Sequence, residues 1–196
     1  MNKQNILRFL KKNLNTMIWG LLIIVLVTNT SAKAWVLRRM MDLGIFNAHI
    51  KPGPSHEIVS FNYRDVATGN VVNTSSLRGK VVFINCWASW CPPCRAEFSS
   101  VMSLYNRFKD NPQVVFILIN EDDDLAKAKE FLQKENCNLP IYKALDIVPV
   151  SVYNGTLPTT VILDKKGKIK YHHEGLADYG REEFANQINE VIRSFE

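Results

Sequence analysis

The chain has 196 residues, 46% of them hydrophobic, which excludes a disordered protein and leaves room for one ordinary domain plus a terminal extension. Its net charge of +5 suggests nucleic acid only until it is divided along the chain: residues 1–51 hold eight Lys/Arg (Lys3, Arg8, Lys11, Lys12, Lys33, Arg38, Arg39, Lys51) against Asp42 alone, whereas residues 52–196 hold 16 against 18. The basic excess belongs to the N-terminal segment, where it reads as a membrane or targeting signal, and no nucleic-acid partner is expected.

Residues 1–16 form a short basic segment, followed by the uninterrupted apolar run Met17 to Val27. Eleven residues suit the core of a signal peptide, with Ala32-Lys33-Ala34 as its cleavage site. Apolar character resumes at Ala34-Trp35-Val36-Leu37, so residues 17–37 also read as a transmembrane anchor in which Lys33 snorkels to the interface. The anchor is the preferred reading, and both export the rest of the chain. Residues 38–54 follow as a juxtamembrane linker that ends in the breaker cluster Lys51-Pro52-Gly53-Pro54-Ser55, and residues 55–196 are the domain.

Within the domain, Ile58 to Tyr63 and Val71-Val72, joined through Thr68-Gly69-Asn70, predict a hairpin. The apolar run Val81 to Trp87 predicts a strand that feeds Trp90-Cys91-Pro92-Pro93-Cys94-Arg95-Ala96-Glu97. Phe98, Val101, Met102, Tyr105 and Phe108 then recur at helical spacing. Cys91 would stand at the helix start, where unpaired N–H groups and the helix dipole favour a thiolate and bring a cysteine pKa from about 8.5 down to roughly 3.5–7.5. Pro92 and Pro93 fall in the first turn, whose N–H groups have no intrahelical partner, so neither breaks the helix. Half a zinc site is the bland alternative, but no second ligand pair at matching spacing is present, and neither a metal nor another cofactor is expected.

Further along, Val114 to Ile119 reads as a doubly covered strand, and Asp122-Asp123-Asp124 reads as the capped start of a helix carrying Leu125, Ala128, Phe131 and Leu132. Thr159 to Leu163 and Lys168 to His173 are strands about an Asp164-Lys165-Lys166-Gly167 turn. Phe184, Ile188, Val191, Ile192 and Phe195 mark an amphipathic closing helix. The order is that of an α/β domain with a mixed central sheet and helices on both faces. Cys86 is expected to be a buried small hydrophobe and Cys137 to lie near a helix end; their pairing is not required. His172 and His173 are expected to face opposite sides of their strand.

The stretch Asn85-Cys86-Trp87-Ala88-Ser89-Trp90-Cys91-Pro92-Pro93-Cys94-Arg95-Ala96-Glu97, with Gly155-Thr156-Leu157-Pro158-Thr159-Thr160 and Val161-Ile162-Leu163-Asp164 later, resembles the thioredoxin-like thiol–disulfide oxidoreductases of the TlpA/ResA/DsbE type. The resemblance covers about residues 55–196. Two departures are visible: Cys86 stands where the family usually has Phe, and Phe98-Ser99 replaces its apolar-Pro pair. The resemblance implies a thioredoxin-like fold and an exported, membrane-associated protein-disulfide reductase, on the extracytoplasmic side of a bacterial inner membrane. Cys91 would attack a partner's disulfide and Cys94 would resolve it, with electrons supplied by a membrane dithiol donor. It further implies a cis proline at Pro158, with Trp90, Pro92, Pro93, Leu157 and Pro158 meeting the substrate. Asn85 occupies the place where thioredoxins themselves carry a buried acid, which leaves Glu97, one turn after Cys94, as the group to handle its proton. Whether the disulfide belongs to an apocytochrome, a copper-site protein or misoxidised proteins in general stays open. Two rival readings also stand here. One is a metallochaperone for copper or haem using Cys91 and Cys94 as soft ligands. The other is a thiol peroxidase, although the Pro-x-x-x-Thr/Ser-x-x-Cys pattern of peroxiredoxins does not precede Cys91.

Overall fold

The computed structural model describes residues 3–50 and 57–194, with side chains from Asn13 onward. The chain opens with α1 (Lys3–Thr28) and α2 (Thr30–Asp42). Helical backbone stops at Asn29, whose side chain turns back to accept from Ser31 N–H (2.9 Å) and Ala32 N–H (3.0 Å), capping α2. Residues 17–37, expected as one span, are therefore divided between two helices bent by 94°. Among the described residues no single helix is long and apolar enough to cross a membrane, although the bent pair together has the length and composition.

Residues 38–50, expected as linker, lie folded against the domain. Asn47 bridges Asp178, Ala48 is buried, and Gln187 accepts from Ile50 N–H at 2.6 Å while its amide meets His49 Nδ1. The breaker cluster 51–55 lies outside the described residues.

β1 (Asn62–Asp65) and β2 (Val71–Asn73) form the expected antiparallel hairpin, with Tyr63 opposite Val72, but its first strand starts at Asn62, four residues later than expected, and Ile58 makes only an isolated bridge to Lys168. A short 3-10 turn (Thr74–Leu77) leads to β3 (Val81–Trp87), buried along its whole length. There follow α3 (Pro92–Phe108), β4 (Val114–Asn120), α4 (Leu125–Lys134), β5 (Tyr142–Ala144), β6 (Thr159–Leu163), β7 (Ile169–Glu174) and α5 (Glu182–Arg193). The seven strands form one sheet in the order β2-β1-β5-β4-β3-β6-β7. β3, β4 and β5 are parallel and the remaining pairs antiparallel. The sequence offers no sign of β5, all three of whose residues pair with β1 while Tyr142 also pairs with Ile119 of β4.

Alternation along β3 divides the core. Phe83 and Trp87 join α3, α4 and α5 through Phe98, Val101, Phe131, Phe184 and Ile188. Val82, Ile84 and Cys86 face the other way, toward Val59, Phe61 and Val152. The three domain helices thus share one face, and irregular chain covers the other, where a second helical layer was expected. The connections β3-α3-β4 and β4-α4-β5 step the same way across the sheet, and right-handed crossovers in one direction put both helices on one side.

Candidate active site

From β3 the chain turns through Ala88, Ser89 and Trp90 to Cys91, the N-cap of α3. The turn is tied to the end of β4. Asp122, fully buried two residues past that strand, accepts from the Ser89 N–H (3.0 Å), the Ser89 hydroxyl (2.8 Å) and Asn120 Nδ2 (2.7 Å). Lys143 Nζ on β5 donates to its main-chain oxygen at 2.6 Å. Only Asp124 of the three-Asp run caps α4, through Ala126 N–H. Sequence reading missed the role of Asp122. Its one advance signal was position, since α/β sites gather at the carboxyl ends of strands. With the turn tied down, Trp90 is left 60% exposed beside the cysteines.

Cys91 has extended dihedrals (φ −85°, ψ 110°), and Pro92 and Pro93 occupy the first two helical positions, where no hydrogen bond is lost. Its Sγ accepts from Cys94 N–H at 3.2 Å, so the sulfur occupies the position a capping oxygen would take. The two cysteines form a disulfide with Cα atoms 5.3 Å apart. Cys91 is 3% accessible and Cys94 not at all.

Glu97, one turn after Cys94, is fully buried. Its Oε1 accepts from Asn85 Nδ2 at 2.9 Å and its Oε2 from Ala177 N–H at 3.3 Å. Asn85 Nδ2 also donates to Thr160 Oγ1 at 2.9 Å. Burial pushes the Glu97 pKa from the ordinary 4.5 up to about 8, although the bonds from Asn85 and Ala177 favour the anion. The Tyr179 hydroxyl, also buried, is pushed well up by burial and then by the Glu97 charge, which keeps that side of the site neutral. A carboxyl with these neighbours exchanges its proton within the neutral-to-alkaline range, as proton-transfer groups must.

The Leu157–Pro158 peptide bond is cis. Leu157 is half-buried and packs against the cluster that holds Cys91 and Cys94. Cys86 and Cys137 are both free, and burial pushes both thiols up. His172 is exposed, while His173 is half-buried and stacked on Tyr171.

Residues 55–188 match the profile of the redoxins. The chain belongs to the redoxin family. This redoxin is 29% identical over 134 residues to the thiol-disulfide oxidoreductase ResA of Halalkalibacterium halodurans, covering 67% of this chain and 75% of that protein. It is 30% identical over 102 residues to the ResA of Bacillus subtilis, covering 52% of this chain and 56% of that one. A thiol:disulfide interchange protein of the thioredoxin family from Chlorobium tepidum TLS shares the fold at a TM-score of 0.54, with 22% identity over 74% of this chain and 99% of its own. This is a thioredoxin-like domain related to the TlpA/ResA/DsbE type, and its Cys91–Cys94 pair is a redox-active cysteine pair of the thiol–disulfide oxidoreductase type.

Proposed function

We propose that this redoxin is a membrane-anchored, extracytoplasmic reductase of protein disulfides. The Cys91 thiolate attacks one sulfur of a partner's disulfide, forming a mixed disulfide and releasing the partner's other sulfur as a thiolate. Cys94 then passes its proton to Glu97 and attacks Cys91 Sγ. The second partner sulfur leaves, the partner is reduced by two electrons, and the Cys91–Cys94 disulfide forms. A membrane dithiol donor returns the two electrons. Trp90, Pro92, Pro93, Leu157 and the cis Pro158 make up the surface that meets the partner.

The observation that carries this reading is the pairing of a capping sulfur with a buried carboxyl one turn on. The Cys94 N–H on Cys91 Sγ favours negative charge at the attacking sulfur. Glu97 lies on the same helical face as the resolving one. Anchoring is supported by the helix pair α1 and α2, which together have the length and composition of a membrane span, with most of the exposed apolar surface on α1. Leu14 to Val27 present large exposed apolar side chains along it. The basic residues 1–16 stay cytoplasmic and the domain is outside. The test is insulin reduction by the chain previously reduced and freed of reductant. Two thiols should be consumed per disulfide cleaved, and Cys91→Ala should abolish the reaction; activity surviving in that variant overturns the reading.

A further inference from the structure

The N-terminal helix pair is fastened to the dithiol helix. α2 buries Ala34 and Met41, with Leu37 beside them, against Ala96 of α3. Arg38 Nη2 donates to Arg95 O at 3.0 Å and to Glu135 Oε2 at 3.2 Å, and Arg95 Nη2 donates to Ser31 Oγ at 3.0 Å. Arg95 directly follows Cys94, so these bonds attach α2 to the turn that carries both sulfurs. Inside the 94° elbow lies a groove of about 300 Å³, lined by Leu26 of α1, Lys33, Val36 and Leu37 of α2, and Pro92 and Pro93 between the two cysteines. The exposed apolar surface of α1 runs into this groove at Leu26. On α2, Trp35 stands outward, 60% exposed, with the Arg39 guanidinium 5.6 Å from its ring centre.

We propose that this elbow holds the dithiol at the bilayer surface, with the apolar length of α1 inserted in the membrane, α2 lying in the interface plane and lipid filling the groove beside Pro92 and Pro93. The inference rests on the anchoring proposed above and goes beyond it. A right-angle bend is the geometry by which one helix enters the bilayer while the next lies flat, as interfacial helices do. Trp35 and Arg39 suit the headgroup level, and Lys33 at the groove is placed to meet lipid phosphate. The groove continues the apolar face of α1, so the solvent that covers that face covers the groove too. Packed helices lie about 8–10 Å apart, which puts the first turn of α3 roughly one helix diameter from α2. Cys91 is then within reach of disulfides presented at the membrane surface, and freely soluble ones are the poorer substrates.

The test uses the full chain in lipid nanodiscs. A small fluorophore is attached to Cys91 in a Cys94→Ser, Cys137→Ser chain, and its quenching by lipids carrying a headgroup nitroxide is measured. More than half of the emission should be lost. Separately, the reduced chain with its native cysteines is offered a lipid-linked pyridyl disulfide and a soluble one. Ala34→Arg, which undocks α2 from Ala96, should lower the ratio of the two rates at least tenfold through the lipid-linked rate alone. Quenching below a fifth overturns the proposal, as does a ratio that Ala34→Arg leaves unchanged; if that variant does not fold, the quenching measurement decides. Carbonate extraction of native membranes separates the two readings. A chain released by carbonate removes the anchor and this inference with it, whereas a retained chain with an unquenched dye overturns this inference alone.

Discussion

Asn85 Nδ2 lies 2.9 Å from Glu97 Oε1, and neither side chain touches solvent. The amide donates to the carboxyl without being able to take its proton, so the pair favours the anion while burial opposes it more strongly. With its pKa near 8 Glu97 is mostly protonated at neutral pH, and the fraction able to accept the Cys94 proton grows as pH rises. Resolution of a mixed disulfide should accelerate from pH 6 to 9. Glu97→Gln should flatten that profile and slow the step by about 10–100-fold near pH 8, toward or below the lower end of what a positioned base contributes. Stopped-flow resolution rates against pH give the comparison. Superimposed profiles would remove Glu97 from the reaction.

The same carboxyl sets a stability trend. Its folded pKa, about 8, exceeds the unfolded 4.5, so between these values the folded protein binds more protons than the unfolded chain. Stability is therefore full below about pH 4.5 and falls as pH rises through 8, by an amount on the order of a few kcal/mol. Urea midpoints of the oxidised protein at pH 5 and 9 should show this drop for the native chain and lose most of it in Glu97→Gln.

Trapping separates the two cysteines. Cys94→Ala should accumulate disulfide-linked partner complexes on non-reducing gels, whereas Cys91→Ala should accumulate none, because only Cys91 has both the capping N–H and an edge at the surface. Equal trapping by the two variants would overturn the assignment of Cys91 as the attacking sulfur.

Asp122 gives a stability prediction outside the dithiol. Asp122→Ala leaves the Ser89 N–H, the Ser89 hydroxyl and Asn120 Nδ2 without their acceptor. The loss should be about 2–4 kcal/mol by chemical denaturation, since each unsatisfied buried donor costs about 1–3 kcal/mol and some relax. Insulin reduction should fall several-fold as the Ser89-Trp90 turn loosens. Asp122→Asn, which keeps one acceptor oxygen, should lose less on both measures.

Membrane-impermeant maleimide applied to spheroplasts whose dithiol has been reduced should label Cys91 without lysis, with Cys91→Ser as the control. Labelling that requires lysis would place the domain in the cytoplasm.

Much of the fold was legible because its signals are local. The apolar run Val81–Trp87, the prolines in the first turn of α3 and the spacing of Phe184, Ile188, Val191 and Ile192 each satisfy their own geometry. β5 was not legible, since Tyr142–Ala144 has no periodicity of its own and is a strand only because β4 and β1 stand on either side. The break at Asn29 was equally hidden. No Gly or Pro marks it; the Asn29 cap is local, but the packing of Ala34 on Ala96, 62 positions further on, is not.

The dithiol and its place at a helix start follow from a few adjacent residues, because capping and thiolate stabilisation act within one turn. The state of Glu97 does not. The same glutamate on an exposed turn would keep an ordinary pKa; here the sheet residues Asn85 and Thr160, the Ala177 loop and Tyr179 enclose it from distant parts of the chain. Desolvation is a property of that enclosure, so only the tertiary structure decided that this carboxyl exchanges its proton near neutrality.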